Sequence, residues 1–260
     1  MPEGLEAEIH RRAAEVLVRR RISAVTVDAA CGDPVALGGL VGARVLGVGR
    51  AGKHVIVRTS AGDLGMHFGM TGRLIVDGVP AMGGLEYGSN RDDPAWDRFT
   101  MVAGRVAVRV NDPRRWSRYT LDPDVGALGV DLLADREALG GALAAVRHRR
   151  APVKAVLLDQ SVIAGVGNLI ADEVLFTAGI DPRVSFCDLD DMRFARLVDA
   201  VARRPAEMLA AGGSHTGVLG PPVRHPGGGC PLDGAPLERV TVGGRTTFIC
   251  PVHQHSGAAS

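Results

Sequence analysis

The first residues of the chain could supply a nucleophile. The chain opens MPEGLE, so removal of Met1 would expose the secondary amine of Pro2, with Glu3 beside it. An α-amino group titrates at about 7.7–8.0 and a lysine amine at about 10.4, so such a terminus is partly neutral at cell pH. A neutral secondary amine can form an iminium, which acts as an electron sink. The alternative is that Pro2 only begins a helix, with Glu3 and Glu6 near the positive end of its dipole.

Two pairs of potential metal ligands lie near the C-terminus. Cys230 and Asp233 form one pair, Cys250 and His253 form the other, and sixteen residues separate the pairs. This spacing fits the two knuckles of a zinc ribbon, although aspartate is a less usual structural ligand and His255 is an alternative. A metal-free hairpin of the same shape is the other interpretation.

Lysine is rare in this sequence. Arginine supplies 28 of the 30 basic residues, and the two lysines are Lys53 and Lys154. A lysine in such a background can mark a position that needs a compact or deprotonatable amine, which arginine cannot supply. Chance is the alternative for so few residues.

The stretch GVGRAGKH, residues 47–54, has the spacing of a nucleotide-binding phosphate loop. His54, however, stands where a serine or threonine should reach magnesium. A phosphate loop also needs a following helix, whereas HVIVRT has the alternation of a strand. We therefore reject nucleotide binding and predict that Lys53 stands at the start of a strand.

The stretch IAGVGNLIADE, residues 163–173, predicts a tight glycine turn that leads into a helix. The N-terminus of such a helix, with Asn168 beside it, makes a phosphate-sized anion site. Lys154 lies one short helix upstream and could reach the same anion. An ordinary helical hairpin is the alternative.

The elements that must position these residues change along the chain. Apolar spacing over residues 3–20 predicts an amphipathic helix, and short β-branched runs between 22 and 120 predict an antiparallel sandwich or barrel. Helical patterns follow from residue 133, then a glycine- and proline-rich linker over 212–229. The fold class is α+β. The predicted domains are an N-terminal β-sandwich with a leading helix (1–125), a helical domain (133–215) and a zinc-ribbon-like β-hairpin (222–256).

Composition sets the broad class. The 260 residues are 46% hydrophobic with a formal net charge of +1, and neither a membrane-spanning run nor a signal peptide is evident. The sequence predicts a cytoplasmic protein. Its arginines cluster at 19–21, 112–118 and 147–150, so a basic stripe could still bind phosphates.

Six motifs occur in a familiar order. They are MPEG with Glu6, GK at 52–53, MHFGMTGRL at 66–74, DPRRW at 112–116, LLDQSVIAGVGNLIADEVLFTAGIDP at 157–182, and GRTTFICPVHQ at 244–254. With these motifs the chain resembles the formamidopyrimidine-DNA glycosylase and endonuclease VIII family of base-excision repair enzymes. The long central run looks like that family's helix–two-turns–helix motif.

The resemblance implies four catalytic residues. Pro2 would attack C1′ of a damaged nucleotide and form a Schiff base, and Glu3 would be the acid that assists base departure and ring opening. Lys53 would help donate protons during strand scission. Arg245 would hold the phosphate at the lesion and assist a second elimination.

The resemblance also implies a DNA interface. Met70, Arg114 and Trp116 would fill the void left by a flipped base. Backbone phosphates would be bound by Arg149, Lys154 and Asn168. The expected partner is double-stranded DNA with a damaged base or abasic site. One structural zinc, a monomeric state and a nucleoid-associated location in the cytoplasm are also expected.

Some residues depart from the family pattern. Leu5 replaces a second proline, and Asp233 and His253 replace two of four cysteines. The stretch 95–99 lacks a DNA-contacting histidine, for which Trp96 or Arg98 could substitute. The sequence as a whole predicts a bifunctional DNA glycosylase and abasic-site lyase that excises oxidised bases. The alternative is a non-catalytic protein that binds DNA lesions or structures on the same scaffold.

Overall fold

The computed structural model describes residues 2–83, 89, 91–225 and 227–254. The chain forms two compact units, Met1–Gly126 and Ala127–Ser260. Each unit is described by itself below.

Unit 1 begins with helix α1, Gly4–Ala14, which starts two residues after Pro2. A capping box closes its N-terminus, because the Glu3 side chain accepts from a backbone N–H of the first turn while Glu6 binds the Glu3 N–H. The predicted helix over 3–20 is therefore shorter than expected. It continues as a 3-10 turn, Glu15–Leu17, and the chain then turns at Arg19, whose φ is +68°.

The rest of unit 1 is an antiparallel β-sandwich, as the sequence predicted. The strands are β1 (Ile22–Val27), β2 (Val45–Ala51), β3 (His54–Thr59), β4 (Gly62–His67), β5 (Arg73–Val76), β6 (Val79–Pro80), β7 (Asp97–Ala103), β8 (Val106–Asn111) and β9 (Arg118–Leu121). One sheet has the order β1-β7-β8-β5-β6 and the other the order β2-β3-β4-β9. Helix α2, Pro34–Gly38, lies between β1 and β2.

The alternation of buried and less buried residues along the strands explains how the two sheets pack together. Val55 and Val57 on β3 are fully buried, while Ile56 between them is not. They share one hydrophobic core with Phe99 and Met101 from the other sheet. Apolar residues on one face of each strand thus remove both sheets' inner faces from water.

Unit 2 is mainly helical. Its helices are α3 (Arg136–Ala145), α4 (Val153–Leu158), α5 (Asn168–Ala178) and α6 (Asp191–Ala211), and a short parallel pair joins β10 (Val130–Asp131) to β11 (Ile163–Ala164). Helix α5 is buried along almost its whole length and ends at Gly179, whose φ of +64° suits a glycine cap.

A β-hairpin follows the helices. It pairs β12 (Glu238–Val242) with β13 (Arg245–Ile249) through the two-residue turn Gly243–Gly244. Both turn residues have positive φ, +56° and +72°, which glycine adopts without steric cost.

Part of the predicted linker over 212–229 is hydrogen-bonded to helix α5. The buried carboxylate of Glu173 on α5 accepts hydrogen bonds from the N–H groups of Val218 (3.1 Å) and Leu219 (3.0 Å). The segment is therefore held against α5. In the part of the chain that the structure describes, no helix is both long enough and apolar enough to cross a bilayer.

Candidate active site and metal centre

The N-terminus of unit 1 is built around a capped helix. Pro2 and Glu3 are both buried, and Glu3 is only 1% exposed. The Glu3 backbone N–H donates to Glu6 Oε2 at 2.7 Å. The capping box therefore fixes the Glu3 carboxylate at the start of α1, beside the secondary amine that Pro2 would carry once Met1 is removed.

Lys53 lies in the tight turn between β2 and β3. Ala51 pairs with His54, so Gly52 and Lys53 form the two-residue turn, and a strand rather than a helix follows. This geometry agrees with the rejection of a phosphate loop.

An ion pair connects this turn to α1. Arg50 Nη1 donates to the Gly52 carbonyl at 2.8 Å, and Arg50 Nε lies 3.4 Å from Glu8 Oε2 on α1. Burial alone would raise the pKa of Glu8, but hydrogen bonds from Arg11 and Arg12 lower it overall. Glu8 therefore stays ionised and holds the turn to the helix.

Two histidines lie next to Lys53. His54 on β3 and His67 on β4 are cross-strand neighbours whose ring centroids are 5.0 Å apart. Burial lowers the pKa of His67 to about 4, with further contributions from His54, Lys53 and Arg118, so the ring is neutral at cell pH. Its Nδ1 accepts a hydrogen bond from the Gly69 N–H at 3.2 Å.

The structure brings together the two loops that carry Met70, Arg114 and Trp116, which are predicted to fill the void left by a flipped base and are called the wedge residues below. Gly69, next to Met70, has a φ of +58°, and a Cβ there would lie 2.5 Å from the carbonyl carbon of Trp116. Thr71 Oγ1 donates a hydrogen bond to Asp112 Oδ1. The Met70 loop and the loop carrying Arg114 and Trp116 are therefore in direct backbone and side-chain contact.

Asp112 organises the second of these loops. Its fully buried carboxylate accepts from the backbone N–H groups of Arg114 (3.1 Å), Trp116 (2.8 Å) and Ser117 (2.8 Å). The Arg114 guanidinium lies 4.0 Å from the centroid of the Trp116 ring, and Trp116 is 47% exposed. An exposed aromatic ring with a cation stacked on it is thus presented on a rigid loop.

Arg98, considered above as a substitute for a DNA-contacting histidine, is buried inside unit 1. It is 7% exposed, its Nε donates to the Asp112 carbonyl at 2.9 Å, and its Nη1 lies 3.2 Å from Asp28. Arg98 therefore supports the Asp112 loop from inside the unit. Trp96, by contrast, is partly exposed.

In unit 2, Arg245 is the exposed first residue of β13. Asn168, the first residue of α5, donates from Nδ2 to the carbonyl of Thr246 at 2.9 Å. Arg149 pairs with Asp159 at 2.6 Å and both are about one-third exposed. The structure therefore brings Asn168 next to the strand that carries Arg245.

The position of Lys154 corrects the sequence-based expectation that it contacts a phosphate. Its side chain on α4 is fully buried, with Nζ 2.6 Å from Asp172 Oδ1. Nζ also donates to Thr247 Oγ1 at 2.6 Å. A buried ammonium needs a carboxylate partner, and Asp172 on α5 supplies it.

Three of the four predicted metal ligands lie together. One donor atom each from Cys230, Asp233 and Cys250 lie within 4.8 Å of one another, and Cys250 Sγ is 3.3 Å from Asp233 Oδ2. Donors held by one tetrahedral zinc at about 2.0–2.3 Å are about 3.3–3.8 Å apart. The Cys250–Asp233 pair already has this spacing, and the three donors together could hold a metal ion.

The imidazole of His253 lies outside that group of three. Its Nε2 donates to the Phe176 carbonyl at 2.6 Å, since a carbonyl oxygen can only accept. This bond leaves the Nδ1 lone pair for a metal, which is the arrangement usual for metal-binding histidines. His255 lies outside the described residues, so its alternative role stays a prediction.

Comparison with known proteins identifies the family. The family model described as the formamidopyrimidine-DNA glycosylase N-terminal domain matches residues 1–119, and the one described as the formamidopyrimidine-DNA glycosylase H2TH domain matches residues 128–218. The formamidopyrimidine-DNA glycosylase of Variovorax paradoxus is 34% identical over 281 residues, covering 96% of this chain and 98% of that relative. The chain belongs to the formamidopyrimidine-DNA glycosylase and endonuclease VIII family.

Other relatives agree with this family assignment. The formamidopyrimidine-DNA glycosylase of Geotalea uraniireducens is 34% identical, covering 98% of this chain and all of that relative. The MutM (Fpg) protein of Thermus thermophilus superposes with a TM-score of 0.79 at 29% identity, covering 99% of this chain and 100% of that one. A complex of the Lactococcus lactis Fpg protein with a THF-DNA and an inhibitor gives 0.80 at 25% identity, covering 98% and 100%.

Sequence reasoning missed several residues that organise the site of this glycosylase-family chain. Asp112, Asp172 and Arg224 carry buried charges that link its loops and helices. One signal was available: Asp172 and Glu173 interrupt the apolar run NLIADEVLF, and carboxylates inside an apolar helix must find cationic partners. The sequence did not indicate which cations those would be.

Proposed function

We propose that this protein is a bifunctional DNA glycosylase and abasic-site lyase that excises oxidised bases from duplex DNA. Its family membership supports glycosylase activity. The observation that carries the proposal is local to unit 1: Pro2 and Glu3 stand at the capped start of α1, and an ion pair ties the turn bearing Lys53 to that helix. A protein that only binds DNA needs neither a terminal amine nor an acid beside it.

The first step replaces a bond to the base with a bond to the protein. With Met1 removed, the Pro2 nitrogen attacks C1′ and the N-glycosidic bond breaks, with its electron pair leaving on the base. The Glu3 carboxylate takes the proton that the Pro2 nitrogen loses on forming this bond, and as an acid it then supplies the proton that assists base departure and opening of the sugar ring. Ring opening yields an iminium between Pro2 and C1′.

The iminium then permits strand cleavage. It withdraws electrons so that a proton leaves C2′ and the 3′ phosphate departs, and the second elimination expels the 5′ phosphate. Lys53 donates protons during scission, which suits an amine rather than a guanidinium. Arg245 holds the phosphate at the lesion and assists the second elimination.

Base flipping leaves a void in the duplex, and we assign its filling to Met70, Arg114 and Trp116. The contact between their two loops supports this assignment. Arg149 and Asn168 are assigned to flanking phosphates. We propose that the protein acts as a monomer on lesion-containing or abasic duplex DNA in the nucleoid.

We propose that zinc is held by Cys230, Asp233, Cys250 and His253. The ion would supply a structural cross-link between the two knuckles. These roles divide the chain as the sequence suggested, into a catalytic domain (1–125), a helix–two-turns–helix domain (133–215) and a zinc-finger-like hairpin (222–256).

Borohydride trapping on duplex DNA with one abasic site tests the proposal. Borohydride reduces the iminium, so the wild-type chain should become covalently linked to DNA. Adding one residue before Pro2 should abolish trapping, because the ring nitrogen then becomes an amide, while binding to the same duplex is retained. The same residue added at the C-terminus is the control.

The non-catalytic alternative predicts a different result. A lesion-binding protein would bind the abasic duplex without any trapping by the wild-type chain. Undiminished trapping by the N-terminally extended chain would exclude Pro2 as the nucleophile.

A further inference from the structure

A buried charge cluster lies behind the strand that carries Arg245. It consists of Lys154 on α4, Asp172 on α5 and Arg224 on the segment before the hairpin. Lys154 Nζ lies 2.6 Å from one Asp172 oxygen and Arg224 Nη1 lies 2.7 Å from the other. The side chains of Lys154 and Asp172 are fully buried and that of Arg224 is 2% exposed. Two helices and a loop therefore meet at one carboxylate.

Lys154 connects this cluster to the hairpin. Its ammonium donates to Thr247 Oγ1 at 2.6 Å and to the Thr246 carbonyl at 3.3 Å. The Thr247 hydroxyl in turn donates to the Arg245 carbonyl at 3.1 Å. A continuous set of polar contacts thus runs from Asp172 to the backbone of Arg245.

Other contacts hold the same end of the hairpin. Asn168 Nδ2 donates to the Thr246 carbonyl at 2.9 Å, and a Cβ at Gly243 would lie 3.3 Å from the Ala155 Cβ on α4. The Arg224 guanidinium stacks 5.0 Å from the Phe248 ring centroid. The hairpin turn is therefore in contact with α4 and with the start of α5.

We infer that Lys154 and Thr247 are positioning residues for Arg245: they fix the backbone from which Arg245 reaches a phosphate, and neither contacts DNA. This inference deepens the proposed function and rests on the role given there to Arg245. A guanidinium on a strand end that can shift loses the alignment on which its effect depends. Lysine suits the position because its compact ammonium fits between a carboxylate, a hydroxyl and a carbonyl.

The charge balance makes Lys154 testable by substitution. The cluster holds two cations and one anion, so Lys154→Met leaves Asp172 paired with Arg224 and leaves no carboxylate unpaired. The variant should therefore fold. Thr247→Val is a milder test, since it removes only the hydroxyl that joins Lys154 to the Arg245 carbonyl, and Thr247→Ser restores that hydroxyl.

The functional measurement is the ratio of second- to first-elimination product in single turnover on an abasic duplex. Arg245→Ala should lower this ratio, and Lys154→Met and Thr247→Val should each lower it by about tenfold. Borohydride trapping through Pro2 should stay within about twofold of wild type in Lys154→Met and Thr247→Val, because both variants keep the Arg245 guanidinium and neither replaces a residue that contacts DNA. Thr247→Ser should match the wild type. Lys154→Met combined with Arg245→Ala should be no worse than Arg245→Ala, as expected when one residue acts through the other.

A control separates positioning from general destabilisation. Arg204→Met also breaks an ion pair in unit 2, between the partly buried Arg204 and the buried Glu173, which holds residues 218 and 219 rather than the hairpin. It should lower the melting temperature without changing the product ratio.

A second measurement does not depend on activity. Amide hydrogen exchange over residues 243–247 should be faster in Lys154→Met than in the wild type, and unchanged in Arg204→Met. Unchanged exchange in Lys154→Met would overturn the inference, whatever the enzyme does. So would a wild-type product ratio in Lys154→Met and Thr247→Val when Arg245→Ala lowers it. If instead Arg245→Ala leaves the ratio unchanged while exchange in Lys154→Met rises, the role proposed for Arg245 fails and the hold on the hairpin stands.

Discussion

The hydroxyl of Thr71 donates to the buried carboxylate of Asp112, and this bond joins two loops separated by 41 residues in the sequence. One loop carries Met70 and the other carries Arg114 and Trp116. The same carboxylate accepts hydrogen bonds from three backbone N–H groups of the second loop. Both loops that carry the wedge residues are therefore bound to Asp112.

Removal of the Thr71 hydroxyl should weaken the contact between the two loops that carry Met70, Arg114 and Trp116. Thr71→Val keeps the side-chain volume but deletes the donor, and loss of a hydrogen bond to a charged group costs about 1.5–3 kcal/mol. We expect the free energy of unfolding, measured in urea, to fall by about this amount. Excision from lesion-containing duplex should fall as well.

Thr71→Ser is the matched control, because it keeps the hydroxyl. It should retain most of the stability and the excision rate. Equal losses in both variants would mean that packing of the methyl group, rather than the bond to Asp112, holds the loops.

Gly69 should tolerate no side chain. A Cβ there would lie 2.5 Å from the Trp116 carbonyl carbon, in a residue whose φ is +58°. Gly78 offers a control, because its φ is +82° but nothing lies within 4 Å of a Cβ. Gly78→Ala should show only the left-handed backbone penalty, about 1–2 kcal/mol. Gly69→Ala should be less stable than Gly78→Ala and should lose duplex excision, whereas equal stabilities would show that the two loops are not in close contact.

Much of the fold could be predicted because its signals are local. The alternation in HVIVRT marks β3, and the Gly243–Gly244 pair marks a hairpin turn. The end of α1 was misplaced because apolar spacing continues past Ala14, whereas the backbone turns at Arg19. Helix propensity and apolar spacing do not show where the chain must leave the helix to enter the sheet.

The candidate site was less predictable because its charges pair over long distances. Lys154 was identified as unusual from lysine scarcity, and a compact amine is what its position requires. Its partners, however, are Asp172 on another helix and Thr247, which lies 93 residues away along the chain. The local pattern around a cation does not indicate which distant residue will neutralise it.

Acid should weaken the fold through buried histidines. His10 on α1 is fully buried, and burial lowers its pKa to about 3. In the unfolded chain the same group titrates at about 6.5, so below that pH the unfolded state binds a proton that the folded state does not. Stability is therefore complete above about pH 6.5 and falls by up to about 1.4 kcal/mol per pH unit as the pH drops toward 3.

His10→Gln should flatten this dependence. Glutamine does not titrate, and its amide oxygen can accept from the Leu74 N–H as His10 Nε2 does at 3.5 Å. Urea unfolding between pH 6 and pH 4 should show a smaller slope in this variant than in His148→Gln, which removes an exposed histidine. Some slope should remain, because burial also lowers the pKa of His67, to about 4. Equal slopes in the two variants would show that His10 is protonated in the folded state.

Metal binding should depend on the imidazole of His253 as well as on the three clustered donors. The Phe176 carbonyl accepts a hydrogen bond from the Nε2–H of His253, which leaves the Nδ1 lone pair to complete a four-ligand site. Elemental analysis of the purified wild-type chain should find about one zinc per molecule, as expected for one closed structural site. In competition with a chelator, His253→Gln should hold zinc at least about tenfold more weakly than the wild type. His148→Gln, an exposed histidine far from the cluster in sequence, should retain zinc normally. Folded wild-type protein without zinc would exclude the metal centre, and undiminished retention by His253→Gln would assign the fourth position to another donor.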